Sequence, residues 1–234
     1  MYPVAILTGG LARRLHPITQ NIPKALVEVA GTPFICRQLD YLRRQGVARA
    51  VLCIGHLGEQ IEAVTGDGRA FGIEIRYSPD GPLLLGTAGA LKRALPLLGE
   101  RFFVLYGDSY LPCDFHVVQR AFVQSGKTAL MTVYRNQDRW DKSNVLFRDG
   151  RVLEYNKGAP KPEMEHIDYG LGVLSSATLD AYPEEQPFDL ADVYHELSLT
   201  DRLAGFEVSE RFYEIGSYQG LQAAEAYFSG VKTT

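Results

Sequence analysis

The 234-residue chain is poor in several features that would each mark a class of protein. It has three cysteines, Cys36, Cys53 and Cys113, odd in number, widely spaced and set mostly among apolar neighbours. That pattern fits reduced thiols rather than a disulfide framework, and none of the spacings is that of a zinc site. Long apolar runs are missing as well: the longest stretch without Asp, Glu, Lys or Arg is residues 1–12, whereas a membrane span needs about 18. No basic leader precedes a long apolar stretch, because Arg13 and Arg14 follow the run Val4–Leu7, so a secretory signal is not supported and a cytoplasmic location is expected. Neither sign of charge dominates. Lys plus Arg number 24 against 28 Asp plus Glu, a net charge of −4 mixed along the chain. This offers no electrostatic footprint for nucleic acid or an anionic membrane, and small-molecule partners are expected instead.

What is present is an ordinary globular composition, 46% apolar and 22% charged, which supports a sizeable core and excludes a disordered, collagen-like or coiled-coil chain. With no repeat, low-complexity tract or long Pro/Gly/Ser linker, a single domain over residues 1–234 is expected. Val4–Leu7 reads as a buried strand ending at Gly9-Gly10. Pro33–Gln45 reads as a helix, with Pro33 at its first position, Ile35, Leu39 and Leu42 at helical spacing, and Gly46 closing it. Strand Ala50–Ile54, a short helix near Gly58–Thr65, strand Ile73–Tyr77, helix Thr87–Leu95 and strand Phe102–Tyr106, which stops at Gly107-Asp108, complete a βαβα pattern. Beyond a helix over Asp114–Gln124 the pattern becomes strand-like: Ala129–Tyr134, Asn144–Phe147, Arg151–Tyr155 and Ile167–Leu174, with Asp149-Gly150 as a hairpin turn. Helices return at Leu190–Leu197 and Tyr218–Phe228. The expected fold is α/β: a Rossmann-like mixed, mainly parallel sheet with helices on both faces and a small antiparallel extension, ligands gathering at the carboxyl ends of the strands.

Gly9-Gly10 and Gly107-Asp108 both fall at such ends. In Leu7-Thr8-Gly9-Gly10-Leu11-Ala12-Arg13-Arg14-Leu15, a buried strand runs into small residues whose N–H groups can approach an anion, followed by guanidinium groups that fork onto phosphate oxygens. A tight turn with exposed arginines reads the same way, and the segment has neither a Gly-Lys-Ser/Thr ending nor GxGxxG. Asp108, at the end of an apolar strand, is costly to place without a partner. Mg²⁺ is one such partner, since it is held by one or two carboxylates plus phosphates and water; capping of the helix near Asp114 is the other use open to it.

After this loop come Pro17-Ile18-Thr19 and Pro23-Lys24-Ala25-Leu26, then Gly31-Thr32-Pro33. Gly-Gly, Arg-Leu, Pro-x-Thr, Pro-Lys-x-Leu and Gly-x-Pro, in this order, resemble the signature of the sugar-1-phosphate nucleotidyltransferases. The likeness extends over about residues 3–228. Leu85-Gly86-Thr87-Ala88-Gly89-Ala90-Leu91 resembles the family's base-recognition loop, Val104–Asp108 its metal-binding strand end, Tyr155-Asn156-Lys157 its sugar-phosphate segment, and Phe212–Ser217 its closing Asp-x-Gly-Thr element. The resemblance implies a nucleotide-diphospho-sugar transferase fold with a nucleotide half over about residues 1–125 and a sugar-phosphate half over about 126–234, leaving no room for an appended acetyltransferase or regulatory domain.

It further implies an NTP and a sugar 1-phosphate as substrates, Mg²⁺ as cofactor, and an NDP-sugar and pyrophosphate as products. Arg14 and Lys24 take the phosphates and, with Asp108, form the catalytic set. Leu7, Gly9, Gly10, Gly86, Thr87, Ala88 and Gly107 border the nucleotide, Thr87 adding a hydroxyl. Asp108 and Glu214 hold the metal, Glu214 standing where the family has aspartate. Asn144, Asn156, Lys157 and Gly170 meet the sugar phosphate, with Asn156 in place of the usual glutamate. Leu-Gly-Thr-Ala-Gly-Ala is similar to the guanylyltransferases for mannose or heptose phosphates, and N-acetylmuramate-1-phosphate uridylyltransferase is similar as well. Two other readings stand beside this one. Pro-Lys-Ala-Leu-Val and Tyr-Glu-Ile resemble bacterial choline-phosphate cytidylyltransferases, although Asn144 and Asn156 suit hydroxyls better than a quaternary ammonium. Ala12 and Glu214 depart from the family pattern in a way that suits a non-catalytic nucleotide-sugar sensor. Asp192 with His195, and His166 with Asp168, read as satisfied or solvated polar pairs. Trp140 reads as a lid residue, a border of the sugar pocket or a surface anchor.

Overall fold

Residues 1–230 are described by the structure, a computed structural model. The first half comprises β1 (Val4–Leu7), a small hairpin of β2 (Glu28–Val29) and β3 (Thr32–Pro33), α1 (Phe34–Arg44), β4 (Arg49–Ile54), α2 (Gly58–Thr65), β5 (Glu74–Pro79), α3 (Gly86–Leu98) and β6 (Arg101–Tyr106). Ile35, Leu39 and Leu42 line the buried face of α1 as their spacing predicts. Each is fully buried against the sheet, a contribution on the order of 1.5–3 kcal/mol per side chain. β5, β4, β1 and β6 pair in parallel in that order. Because the chain moves outward from β1 through β4 to β5 and then returns to the other side of β1 as β6, a switch in strand order opens beside β1, where α/β sheets bind ligands.

The second half contains β7 (Ser109–Tyr110), α4 (Phe115–Ser125), β8 (Ala129–Arg135), β9 (Val145–Arg148), β10 (Arg151–Tyr155), β11 (His166–Ser175), α5 (Leu190–Leu199), β12 (Leu203–Val208), β13 (Tyr213–Glu214) and α6 (Tyr218–Phe228). The helix at 115 is capped by Asp114, whose Oδ1 accepts from the N–H groups of His116 and Val117, so Asp108 is not needed there.

The antiparallel part is larger than the sequence pattern suggests. β11 runs antiparallel between β6 and β8, and β12 joins β8 in parallel, followed by β10 and β9, making one nine-stranded sheet. The sheet is mixed as expected, but its antiparallel pairings are about as extensive as its parallel ones. The Asp149-Gly150 turn, with φ of 49° and 75°, joins β9 to β10 as expected of a hairpin with both central residues left-handed. β9 then meets β11 again at Val145 and His166, closing β11, β8, β12, β10 and β9 into a ring. Two apolar layers cover the faces of the sheet, and a third small cluster seats α6 against the β2–β3 hairpin.

Candidate active site

Leu7, Cys53 and Tyr106 stand abreast at the ends of β1, β4 and β6, and all three line a cavity of about 340 Å³. Gly9, Gly10, Lys24, Gly86, Thr87 and Gly107, each assigned to the nucleotide or its phosphates from sequence, line it too, as does Asp108, assigned to catalysis and the metal. Ala88 does not: it is fully buried in the core under α3, and its N–H donates to the Phe188 carbonyl at 3.1 Å. Thr87 reaches the wall, but its hydroxyl is already used. It accepts from the Leu190 N–H at 2.7 Å and donates to Asp189 Oδ1 at 3.2 Å, tying α3 to α5.

Lys24 opens a short 3₁₀ turn, Lys24–Leu26, and its Nζ donates to Asp108 Oδ2 at 2.6 Å across the cavity mouth. Both side chains are about a quarter exposed, 21% and 25%, so the pair is screened less than a surface ion pair. Two-residue strands complete the group. β13 pairs with β7, setting Glu214 opposite Ser109, and the Ile215 N–H donates to the Asp108 carbonyl at 2.9 Å. Consequently Arg14, Asp108 and Glu214 converge on Gly216. A Cβ there would lie 2.8 Å from Glu214 Oε2 and 3.2 Å from both Arg14 Nη2 and Asp108 Oδ2. Glu214 is held by the turn into α6, accepting from the Ser217 hydroxyl at 2.6 Å and from the Gly216 N–H.

Mg²⁺ fits this donor set. Asp108 and Glu214 present hard oxygens around a space that any residue but glycine would fill. No cluster of three or more His, Cys, Asp or Glu ligands occurs among the described residues. Two carboxylates suit an ion that completes its shell with phosphate and water. Ala12 has a left-handed backbone, φ 49°, a conformation that glycine adopts without strain.

The sugar-phosphate assignments gather elsewhere, on the far side of Tyr106, around β11. The register of β11 on β8 shifts between Asp168 and Gly172, and Gly170 sits at φ 101°. Such a bulge re-aims side chains. Asn144 is buried and its Oδ1 accepts from the Asp168 N–H at 3.0 Å. Asn156 Oδ1 accepts from the Ala159 N–H at 2.8 Å, leaving its amide mostly committed to the turn. Lys157 is exposed at that turn.

Asp168 is no solvated pair with His166. Burial pushes its carboxyl up to about 6, opposed by a hydrogen bond from Gly170 N–H and by the Lys157 charge. His166 Nε2 faces Glu207 at 3.1 Å, and His195 Nδ1 faces the Tyr155 carbonyl at 2.6 Å; both are satisfied, as their sequence setting suggests. Trp140 is exposed, with the Arg211 guanidinium 3.4 Å above its ring.

Two acidic cavity residues, Asp80 and Asp189, escaped the sequence reading. Asp80 closes β5, with its N–H donating to the Ile54 carbonyl at 2.9 Å, and Asp189 precedes α5. The signal for Asp80 is a lone carboxylate in Pro79-Asp80-Gly81-Pro82, which reads as a turn.

Glycine turns, a lysine, an arginine and paired carboxylates thus meet at a strand-order switch, where α/β sheets bind ligands. The model for the family described as nucleotidyl transferase matches residues 4–143, and the chain belongs to that family. It is 29% identical over 212 residues to UTP--glucose-1-phosphate uridylyltransferase from Synechocystis, covering 82% of this chain and 54% of that protein. The chain thus spans about half the length of this relative. It is 27% identical over 214 residues to D-glycero-alpha-D-manno-heptose 1-phosphate guanylyltransferase from Aneurinibacillus thermoaerophilus, covering 90% of this chain and 91% of that one. Among solved structures, HddC from Yersinia pseudotuberculosis complexed with GMP-PN superposes with a TM-score of 0.79 at 25% identity, covering 97% and 100% of the two chains.

Proposed function

We propose that this protein is a sugar-1-phosphate nucleotidyltransferase, with a guanylyl group and a mannose- or heptose-type phosphate as its leading substrates. The carrying observation is the convergence of Arg14, Asp108 and Glu214 on Gly216, with Lys24 bonded to Asp108, beside the cavity. The guanine preference takes support from the heptose-phosphate guanylyltransferase, which matches over nearly its whole length, and from the GMP-PN complex.

In this reading a phosphate oxygen of the sugar 1-phosphate attacks the α-phosphorus of the NTP. A P–O bond forms there, the bond to the oxygen bridging the β-phosphate breaks, and pyrophosphate leaves with that electron pair. The central obstacle is repulsion between anions, so positioning and cationic stabilisation supply most of the rate. Lys24 exchanges its bond with Asp108 for oxygens of the α-phosphate, Arg14 binds the β- and γ-phosphates, and the N–H groups of Gly9 and Gly10 line their path. Lys157 offers a point charge to the sugar phosphate. Asp108 and Glu214 would hold Mg²⁺, which when bound neutralises charge between the phosphates. A reducing compartment such as the cytoplasm, where Cys36, Cys53 and Cys113 stay free as they are here, belongs to the same reading.

The test is pyrophosphate release across a panel of NTPs and sugar 1-phosphates with Mg²⁺. At least one pairing turns over, and Asp108→Asn lowers its kcat by about 10²–10³-fold. Folded wild-type protein releasing no pyrophosphate across the panel would refute the proposal.

A further inference from the structure

Arg14 stands on an exposed loop. Of the side chains described over residues 9–21, only Leu15 and Thr19 are buried, and the Thr19 hydroxyl turns back on the loop itself, donating to the Ala12 carbonyl at 2.8 Å. Among the described residues, two hydrogen bonds reach this loop from outside it. Gln60 Nε2 donates to the Asn21 carbonyl at 3.1 Å, at the end remote from Arg14. The Tyr218 hydroxyl donates to the His16 carbonyl at 2.9 Å, two residues beyond Arg14 and across 202 residues of sequence. Tyr218 opens α6, directly after its N-cap Ser217. The same turn holds Glu214 through Ser217 and leaves the space at Gly216 on which Arg14 Nη2 and Asp108 Oδ2 converge. The Tyr218 ring is 47% exposed and has no place in the apolar cluster that seats α6, so what this side chain adds to an ordinary helix surface is its hydroxyl.

We propose that Tyr218 is a positioning residue for Arg14: its hydroxyl fixes the loop against the first turn of α6, so that Arg14 and Glu214 keep one spacing as the triphosphate enters. The proposal rests on the nucleotidyltransferase reading above. An arginine on an untethered loop must be ordered, with its loop, each time it takes a phosphate, whereas a tethered one is ordered beforehand. A hydrogen bond of this kind changes an equilibrium by about two- to tenfold. Here the change falls on the β- and γ-phosphates, the groups assigned to Arg14.

The experiment is calorimetric binding, with Mg²⁺, of ATP, CTP, GTP and UTP to the full chain, then of the best-bound NTP and its monophosphate to Tyr218→Phe, Arg14→Ala and the double variant. Phenylalanine keeps the exposed ring and the helix, so Tyr218→Phe removes the bond and little else. It should raise the Kd for the NTP about three- to tenfold and leave that for the monophosphate, which lacks both outer phosphates, within twofold. In the Arg14→Ala background the same substitution should change the NTP Kd by less than twofold, because the residue it positions is gone. An NTP effect below threefold, or a loss of twofold or more for the monophosphate, overturns the role of Tyr218 and leaves the transferase reading intact. A merely structural part in α6 would weaken both ligands alike. A twofold or larger effect without Arg14 also overturns it. Should Arg14→Ala bind too weakly to measure, the comparison of NTP with monophosphate decides. Wild type that binds none of the four NTPs overturns the parent reading as well.

Discussion

Replacing Gly216 by alanine separates catalysis from stability. The added Cβ would sit 2.8 Å from Glu214 Oε2 and 3.2 Å from Arg14 Nη2 and Asp108 Oδ2, where ordinary contact begins at 3.4 Å. Each of those atoms ends a side chain, so the group can spread by a few tenths of an ångström without moving the backbone. Spreading it, however, displaces the charges that meet the phosphates, and a misplacement approaching 1 Å costs about 10²-fold in rate. We expect kcat for pyrophosphate release to fall about 10- to 100-fold. Stability responds differently. Gly216 is outside the left-handed region, so alanine fits the backbone and gains about 0.4–1 kcal/mol by restricting the unfolded chain. Against this stands some weakening of the Glu214 bonds to Gly216 N–H and the Ser217 hydroxyl. The net change in stability should stay within about 1 kcal/mol. Steady-state kinetics and thermal unfolding on one preparation read both quantities. A variant with kcat within twofold of wild type would show that the space at Gly216 is not used in the reaction.

Two further outcomes follow from bonds already described. Asp168 has its carboxyl raised from 3.8 to about 6, so the folded state holds that proton more tightly than the unfolded chain does. Its contribution to stability is therefore fullest below about pH 4 and is lost as pH rises through 6. Asp168→Asn, which does not titrate, should be more stable than wild type above pH 6, by at most on the order of 3 kcal/mol. The advantage should vanish below about pH 4, and urea unfolding from pH 4 to 8 checks this; a pH-independent difference contradicts the assigned burial. Thr87→Val removes the acceptor of Leu190 N–H and the donor to Asp189, and should cost about 1–3 kcal/mol in unfolding free energy. Unchanged unfolding would mean that the hydroxyl does not tie α3 to α5.

The parallel half was legible because β1, β4 and β6 are short apolar runs bounded by glycine, and α1 carries its buried residues at one spacing. β12 was not. Gly205 in its middle reads as a loop signal, but a Cβ there would lie 2.5 Å from the Phe147 ring, so the glycine serves packing inside the strand. At the site, Gly9 and Asp108 follow strand ends and Lys24 opens a short turn between them, an order that can be read from the sequence. The meeting of Asp108 with Glu214 depends on the two-residue pairing of β7 with β13, too short to leave a periodic signal. Asp80 and Asp168 were missed for a related reason. Their chemistry comes from burial, and burial comes from partners far along the chain, the Ile54 carbonyl for Asp80 and Asn144 for Asp168.

Closing the antiparallel strands into a ring also governs how copies of this chain can stick together. A sheet recruits foreign strands through unpaired N–H and C=O groups on its outermost strand. Here the meeting of Val145 with His166 folds β9 back onto β11, so β5 is left as the outermost strand with one side unpaired. That strand carries the Glu74–Arg76 ion pair at 2.7 Å and ends in Pro79, both of which discourage added strands. Substitutions that loosen the Val145–His166 closure would open a second, unguarded row of backbone groups. Aggregation of such variants would then track the opening of the ring more closely than their loss of global stability.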